Sequence, residues 1–114
     1  MTVAESQELE EMKLTVEDVQ HELMLARRTG AALDERIATM QSTAALLSKV
    51  PAGQPTFRAV GRCFMLQETG ELAGQLCKEE GAAAEARDDL RAKETHLERK
   101  LRSCEENVKS FLAD

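Results

Sequence analysis

The chain has no tryptophan, no tyrosine and only three phenylalanines among its 114 residues. Large aromatic side chains supply much of the bulk of a compact core, so an ordinary globule is not expected. No apolar run approaches the ~18–20 residues that a membrane-spanning helix needs. The acidic opening is also wrong for a signal or transit peptide. A cytoplasmic protein with no membrane partner is the expectation. Its three cysteines, Cys63, Cys77 and Cys104, are odd in number, far apart and without a CxxC pair. That argues against a disulfide framework and for a reducing compartment. Basic patches are missing too. The net charge of −6 divides as −4 over residues 1–50, +1 over 51–68 and −3 over 69–114. Nucleic acid would need a row of Lys and Arg to displace counterions, so no nucleic-acid partner is expected.

Catalytic patterns are equally scarce. His21 and His96 belong to no HExxH or Cys-His spacing, and the glycines at 70, 74 and 81 do not form a phosphate-binding loop. The acid pairs Asp88-Asp89 and Glu105-Glu106 are sequence neighbours, which a helix points about 100° apart rather than at one reacting atom. The expectation is a non-enzyme with no catalytic residue, no metal and no cofactor.

What the chain does have is periodicity. Leu9, Met12, Val16, Val19, Leu23, Ala26, Gly30, Leu33, Ile37, Met40, Ala44 and Leu47 alternate by three and four, interrupted in character only by Gly30. Such a narrow apolar seam must lie against another helix. A second seam follows at Leu66, Ala73, Leu76, Ala83, Leu90, Leu97, Leu101, Cys104, Val108 and Phe111, weakened at Thr69, Glu80, Arg87 and Glu94. Cys104 reads there as a small apolar residue.

The connector between the seams is explicit. Thr2-Val3-Ala4-Glu5 matches a capping box, opening a first helix over 2–49. Val50-Pro51-Ala52-Gly53-Gln54-Pro55 then stops it. Within the connector and hairpin of 51–68, Thr56–Val60 and Arg62–Leu66 read as two strands about Gly61, with Phe64 and Leu66 on one face and Cys63 and Met65 on the other. A lone two-stranded hairpin with two apolar faces and open edges is marginal in water and invites other strands, which suggests an assembly element. A second helix runs over 69–112. Gly70, Gly74 and Gly81 soften its first third by roughly 1 kcal/mol each relative to Ala.

Pairing the seams in opposite directions matches Leu9 with Phe111, Val16 with Cys104, Leu23 with Leu97, Ile37 with Ala83 and Ala44 with Leu76, all centred on residue 60. The predicted fold is therefore all-α dominated: one domain over 1–114, a long antiparallel coiled-coil hairpin of helices roughly 65 Å long with a single β-hairpin at its base. On this register Ala26, Leu33 and Met40 face Glu94, Arg87 and Glu80, so the middle should be weakest. At the free end Leu9, Met12, Val108 and Phe111, with Val3 and Leu112 beside them, have few neighbours to complete their burial. Either a contact patch or simple fraying accounts for them. The charges near that end, Glu5, Glu8, Glu10 and Glu11 against Arg99, Lys100, Arg102 and Lys109, complement the two helix dipoles.

The segment Phe57-Arg58-Ala59-Val60-Gly61-Arg62-Cys63-Phe64-Met65-Leu66-Gln67 resembles the prefoldin family, in its β class and most nearly the subunit 1 type, whose core runs aromatic-x-x-Val-Gly-Arg-x-Phe-x-Leu-Gln. Val50-Pro51, Gln75-Leu76 and the ladder Leu97, Leu101, Val108 also sit where that family carries similar residues. The glycines at 70, 74 and 81 and the alanines at 82–84 depart from it. The resemblance implies a subunit of a hexameric, ATP-independent chaperone of two α-class and four β-class subunits, whose hairpins join into β-barrels. The single hairpin independently suits the β class. The implied partners are other prefoldin subunits, unfolded proteins such as actin and tubulin, and the cytosolic chaperonin. Carried onto this chain, Phe57, Val60, Gly61, Arg62, Phe64 and Leu66 are expected to build the platform. Leu9, Met12, Val108, Phe111 and Leu112 are expected to contact cargo. The competing readings are a coiled-coil adaptor or tether that never touches unfolded protein, and a simple dimerising coiled coil with a flexible break at 51–68.

Overall fold

Both ends of the first helix are set by local chemistry. The hydroxyl of Thr2 accepts the Glu5 N–H at 3.2 Å, which satisfies one otherwise free donor, and the Thr2 carbonyl accepts the Ser6 N–H at 3.0 Å as the first bond of the helix. At the other end Lys49 and Val50 donate to the carbonyls of Leu46 and Leu47, a tightened final turn before Pro51 forbids continuation. The computed structural model describes residues 1–113, with α1 (Val3–Ser48), β1 (Thr56–Val60), β2 (Cys63–Gln67) and α2 (Thr69–Ala113) in that order. The chain forms two compact units. The first joins Met1–Ala31 to the segment from Asp88 onward; the second is Ala32–Arg87 and carries the hairpin.

Within α1 the twelve seam residues are all buried or half-buried, and every other residue of the helix is exposed. The α2 seam agrees at Leu76, Ala83, Leu90, Leu97, Leu101, Cys104, Val108 and Phe111, and also at the polar positions Thr69, Glu80, Arg87 and Glu94. Two expected members differ. Leu66 is exposed because it belongs to β2, where side chains alternate by two. Ala73 is exposed as well, and Leu72 is half-buried in its stead, since covering an isobutyl group removes more apolar surface from water than covering a methyl.

In the first unit Val19, Leu23, Ala26 and Leu97 form the buried core, with Leu90 and Leu101 packed against it. Arg27 flanks this core and reaches Glu98 at 3.2 Å. In the second unit Met40 and Ala83 are buried. There the polar seam residues do not simply oppose Leu33 and Met40, as the heptad register suggests. The Arg87 Nε–H donates to Asp34 at 2.9 Å and the Gln41 amide donates to Glu80 at 3.1 Å, so each head group turns to the position beside the seam while its stem covers apolar surface. These pairs discriminate between registers. Sliding α2 by one heptad in either direction would set Asp34 against Glu80 or Glu94 and strip Arg87 of Asp34. A half-buried charge that loses its partner is costly, and polar seam residues fix register in paired helices by this means.

The glycines that soften α2 do not break it. An added Cβ at Gly74 or Gly81 would meet nothing within 4 Å, and both lie inside the helix. Gly74→Ala and Gly81→Ala are each expected to stabilise the chain by up to ~1 kcal/mol through helix preference and a less disordered unfolded state. Urea unfolding should show a higher midpoint at an unchanged slope. A fall in midpoint would mean that the glycines serve a close approach.

Candidate functional site

The connector reaches the hairpin through a type II turn at Pro51-Ala52-Gly53-Gln54. Gln54 N–H bonds the Pro51 carbonyl at 3.2 Å, and Gly53 takes φ +85°, a value that favours glycine. The hairpin itself closes on two residues. Val60 pairs with Cys63 across Gly61-Arg62, Gly61 has φ +60°, and no non-glycine among the described residues has positive φ. That combination is a type II′ turn, whose twist suits antiparallel strands. Arg62 is therefore a loop residue and not the first residue of the second strand, which instead runs Cys63–Gln67.

The register decides what each side of the hairpin offers. Directly opposed residues share a face, so Phe57, Leu66, Ala59 and Phe64 lie together on one side. Thr56, Arg58, Val60, Cys63, Met65 and Gln67 lie on the other. In a type II′ hairpin the pair flanking the turn is hydrogen-bonded, and bonded pairs alternate from there. The backbone groups of Phe57, Ala59, Phe64 and Leu66 consequently point outward along the two edges, and β1 and β2 have no further strand neighbour among the described residues. The same four residues supply both the open edges and an apolar face, on which Phe57, Phe64 and Leu66 are 59%, 76% and 69% exposed.

The opposite face is tied to α2. The Arg58 guanidinium donates to the Gln75 amide oxygen and to Glu79 at 3.2 Å. The Thr56 hydroxyl donates to the Gln67 carbonyl at 2.6 Å and lies 3.3 Å from the Thr69 hydroxyl. Of the six expected platform residues, the structure thus groups Phe57, Phe64 and Leu66. It places Val60 on the reverse face and Gly61 and Arg62 in the turn. Sequence reasoning missed Ala59 and Arg58. The alternation of the strand contained the signal for both, since Ala59 shares the face of Phe57 and Arg58 opposes it.

The other expected site lies in the first unit. Leu9, Met12, Val108 and Phe111 are half-buried, whereas Leu112 is exposed, as are Met1 and Val3. Beside Val108 an open apolar groove runs between Val16 and Val108, rimmed by Lys13, Glu17, Glu105 and Lys109. Met12 and Cys104 line an adjoining cleft with Thr15 and Asn107. The rim carries two charges of each sign, so it adds no net charge to the apolar groove. Among the described residues no helix is long and apolar enough to cross a membrane.

Comparison with known proteins adds an independent line. The chain is 28% identical over 102 residues to prefoldin subunit 1 of Danio rerio, a match that covers 90% of this chain and 84% of the relative. Its fold is similar to that of the prefoldin beta subunit from Thermococcus strain KS-1, with a TM-score of 0.82 over 90% of each chain at 14% identity. No protein-family model matches the sequence.

Proposed function

We propose that this chain is a prefoldin β-class subunit, a reading supported by its similarity in sequence and in fold, and that it joins other prefoldin subunits through its hairpin and helps to hold unfolded proteins at the end of its helix pair. The observation that carries the reading is the hairpin: an apolar face of Phe57, Ala59, Phe64 and Leu66 whose own backbone edges are open. Strands from other subunits would pair with those edges, and a sheet extended in that way can close over the apolar face, which water alone does not do. The full assembly is a hexamer that works without ATP, because nothing in holding and releasing an unfolded chain by apolar contact requires nucleotide. Leu9, Met12, Val108, Phe111 and Leu112 supply the cargo contacts. Each patch is small, but several patches on one platform raise effective concentration, so an unfolded chain such as actin or tubulin is retained collectively and passed to the cytosolic chaperonin.

Mixing the purified chain with α-class prefoldin subunits should give a stoichiometric hexamer by native mass measurement; an adaptor of another complex would stay apart. Removing residues 1–12 and 108–114 deletes all five cargo candidates and leaves the hairpin untouched. The truncated chain is expected to enter the hexamer and to lose suppression of client aggregation. Full suppression by an assembled truncated hexamer would reject the cargo role.

A further inference from the structure

Only Glu68 separates β2 from α2, whereas seven residues, 49–55, separate α1 from β1. The hairpin is therefore attached to α2 by a short pivot, and its angle to that helix is not determined by the chain connection alone. Two sets of side-chain bonds span the pivot. Close to it, the Thr56 hydroxyl bonds the Gln67 carbonyl and lies beside the Thr69 hydroxyl at the first residue of α2. Further out, Arg58 in the middle of β1 reaches Gln75 and Glu79, which stand one helical turn apart on α2. A planar guanidinium with several fixed donors is well suited to bridging two acceptors at that spacing, and an ammonium is not.

We infer that Arg58 is a positioning residue for subunit assembly: a strut that sets the hairpin's angle against α2 and so turns the Phe57, Ala59, Phe64 and Leu66 face toward incoming strands. The inference rests on the assembly role proposed for the hairpin. Arg58 and Glu79 are both nearly half exposed, so the strut is no pillar of the fold. Exposed bonds of this strength shift an equilibrium by roughly five-fold, enough to favour one hairpin orientation without being needed to form the hairpin. Met65, opposite Arg58 in the register, shares its face and lies beside Gln75 along the same cleft.

The molecule carries its own reporters for the test. Cys63 on β2 and Cys77 on α2 are both free and exposed, and with Cys104→Ser they become a unique pair for spin labels. In the otherwise unchanged chain, pulsed dipolar spectroscopy should give one narrow distance distribution. Arg58→Met, which keeps an apolar stem, should broaden it, leave amide-exchange protection in β1 and β2 intact, and weaken entry into complexes with α-class subunits by roughly five-fold. Arg58→Lys should resemble Arg58→Met, and the exchanged pair Arg58→Glu with Glu79→Arg should recover part of the narrow distribution. An unchanged distribution in Arg58→Met overturns the strut. Weakened assembly with an unchanged distribution also overturns it, since Arg58 would then touch the partner directly. The distance measurement needs no partner, so it stands even if the unaltered chain never assembles.

Discussion

Phe64→Asp is expected to abolish the entry of this chain into a complex with prefoldin subunits while leaving its helicity unchanged. In the single chain the ring of Phe64 is 76% exposed, so little native packing is lost when it is replaced. In a complex that covers the face of Phe57, Ala59 and Leu66, two penalties appear together. Burial of a Phe side chain, worth about 1.5–3 kcal/mol, is forfeited. A carboxylate must also leave water without a partner, which costs several kcal/mol more. A combined loss above ~4 kcal/mol weakens association about a thousand-fold. Native mass measurement with α-class subunits and circular dichroism of the single chain check the two halves of this result. Val60→Asp is a useful companion, because Val60 lies on the reverse face and is 48% exposed. It too should hinder assembly, but less than Phe64→Asp if the Phe57 face is the one covered. Normal assembly of Phe64→Asp would remove the hairpin from the interface.

Leu97→Ala carries the largest expected effect on the chain itself. Leu97 is 3% exposed and packs with Val19, Leu23 and Ala26 in the only buried cluster among the described residues of the first unit. Large-to-small replacement at such a site costs about 2–5 kcal/mol, and a narrow helix pair has few neighbours able to collapse into the void. Domains of this size have about 5–15 kcal/mol in total, so the loss is a large share. Urea unfolding should show a much lower midpoint, and amide-exchange protection should fall across the first unit. Leu25→Ala is the control: Leu25 is 44% exposed on the outside of α1, and its replacement should change stability by less than about 0.5 kcal/mol. Equal effects of the two substitutions would mean that the core does not lie on the Leu23–Leu97 line.

Much of this was legible in the residues. The α1 seam matches the buried stripe position for position because a period of three and four leaves no choice of face once a partner helix exists. The capping Thr2, the stop at Pro51 and the turn at Gly61 were readable for a similar reason: each is a local backbone requirement met by a residue within a few positions. Errors arose where one period gave way to another. The helical spacing takes in Leu66 although it sits in a strand, and the strand pattern takes in Arg62 although a two-residue turn uses it. Ala73 lost its place to Leu72 one position away, in the first turns of α2.

The sequence by itself determined the paired helices, the point at which the chain reverses and the resemblance that led to a family, since periodicity and turn chemistry act over short stretches. Only the tertiary structure decided which hairpin face is the more exposed, that Asp34 takes Arg87, and that Arg58 reaches across 17 and 21 residues to Gln75 and Glu79. Those choices depend on the reach of long side chains between separate elements. A pattern of apolar and polar letters says that a stripe must be buried, but it does not say where a flexible charged head group will find its partner.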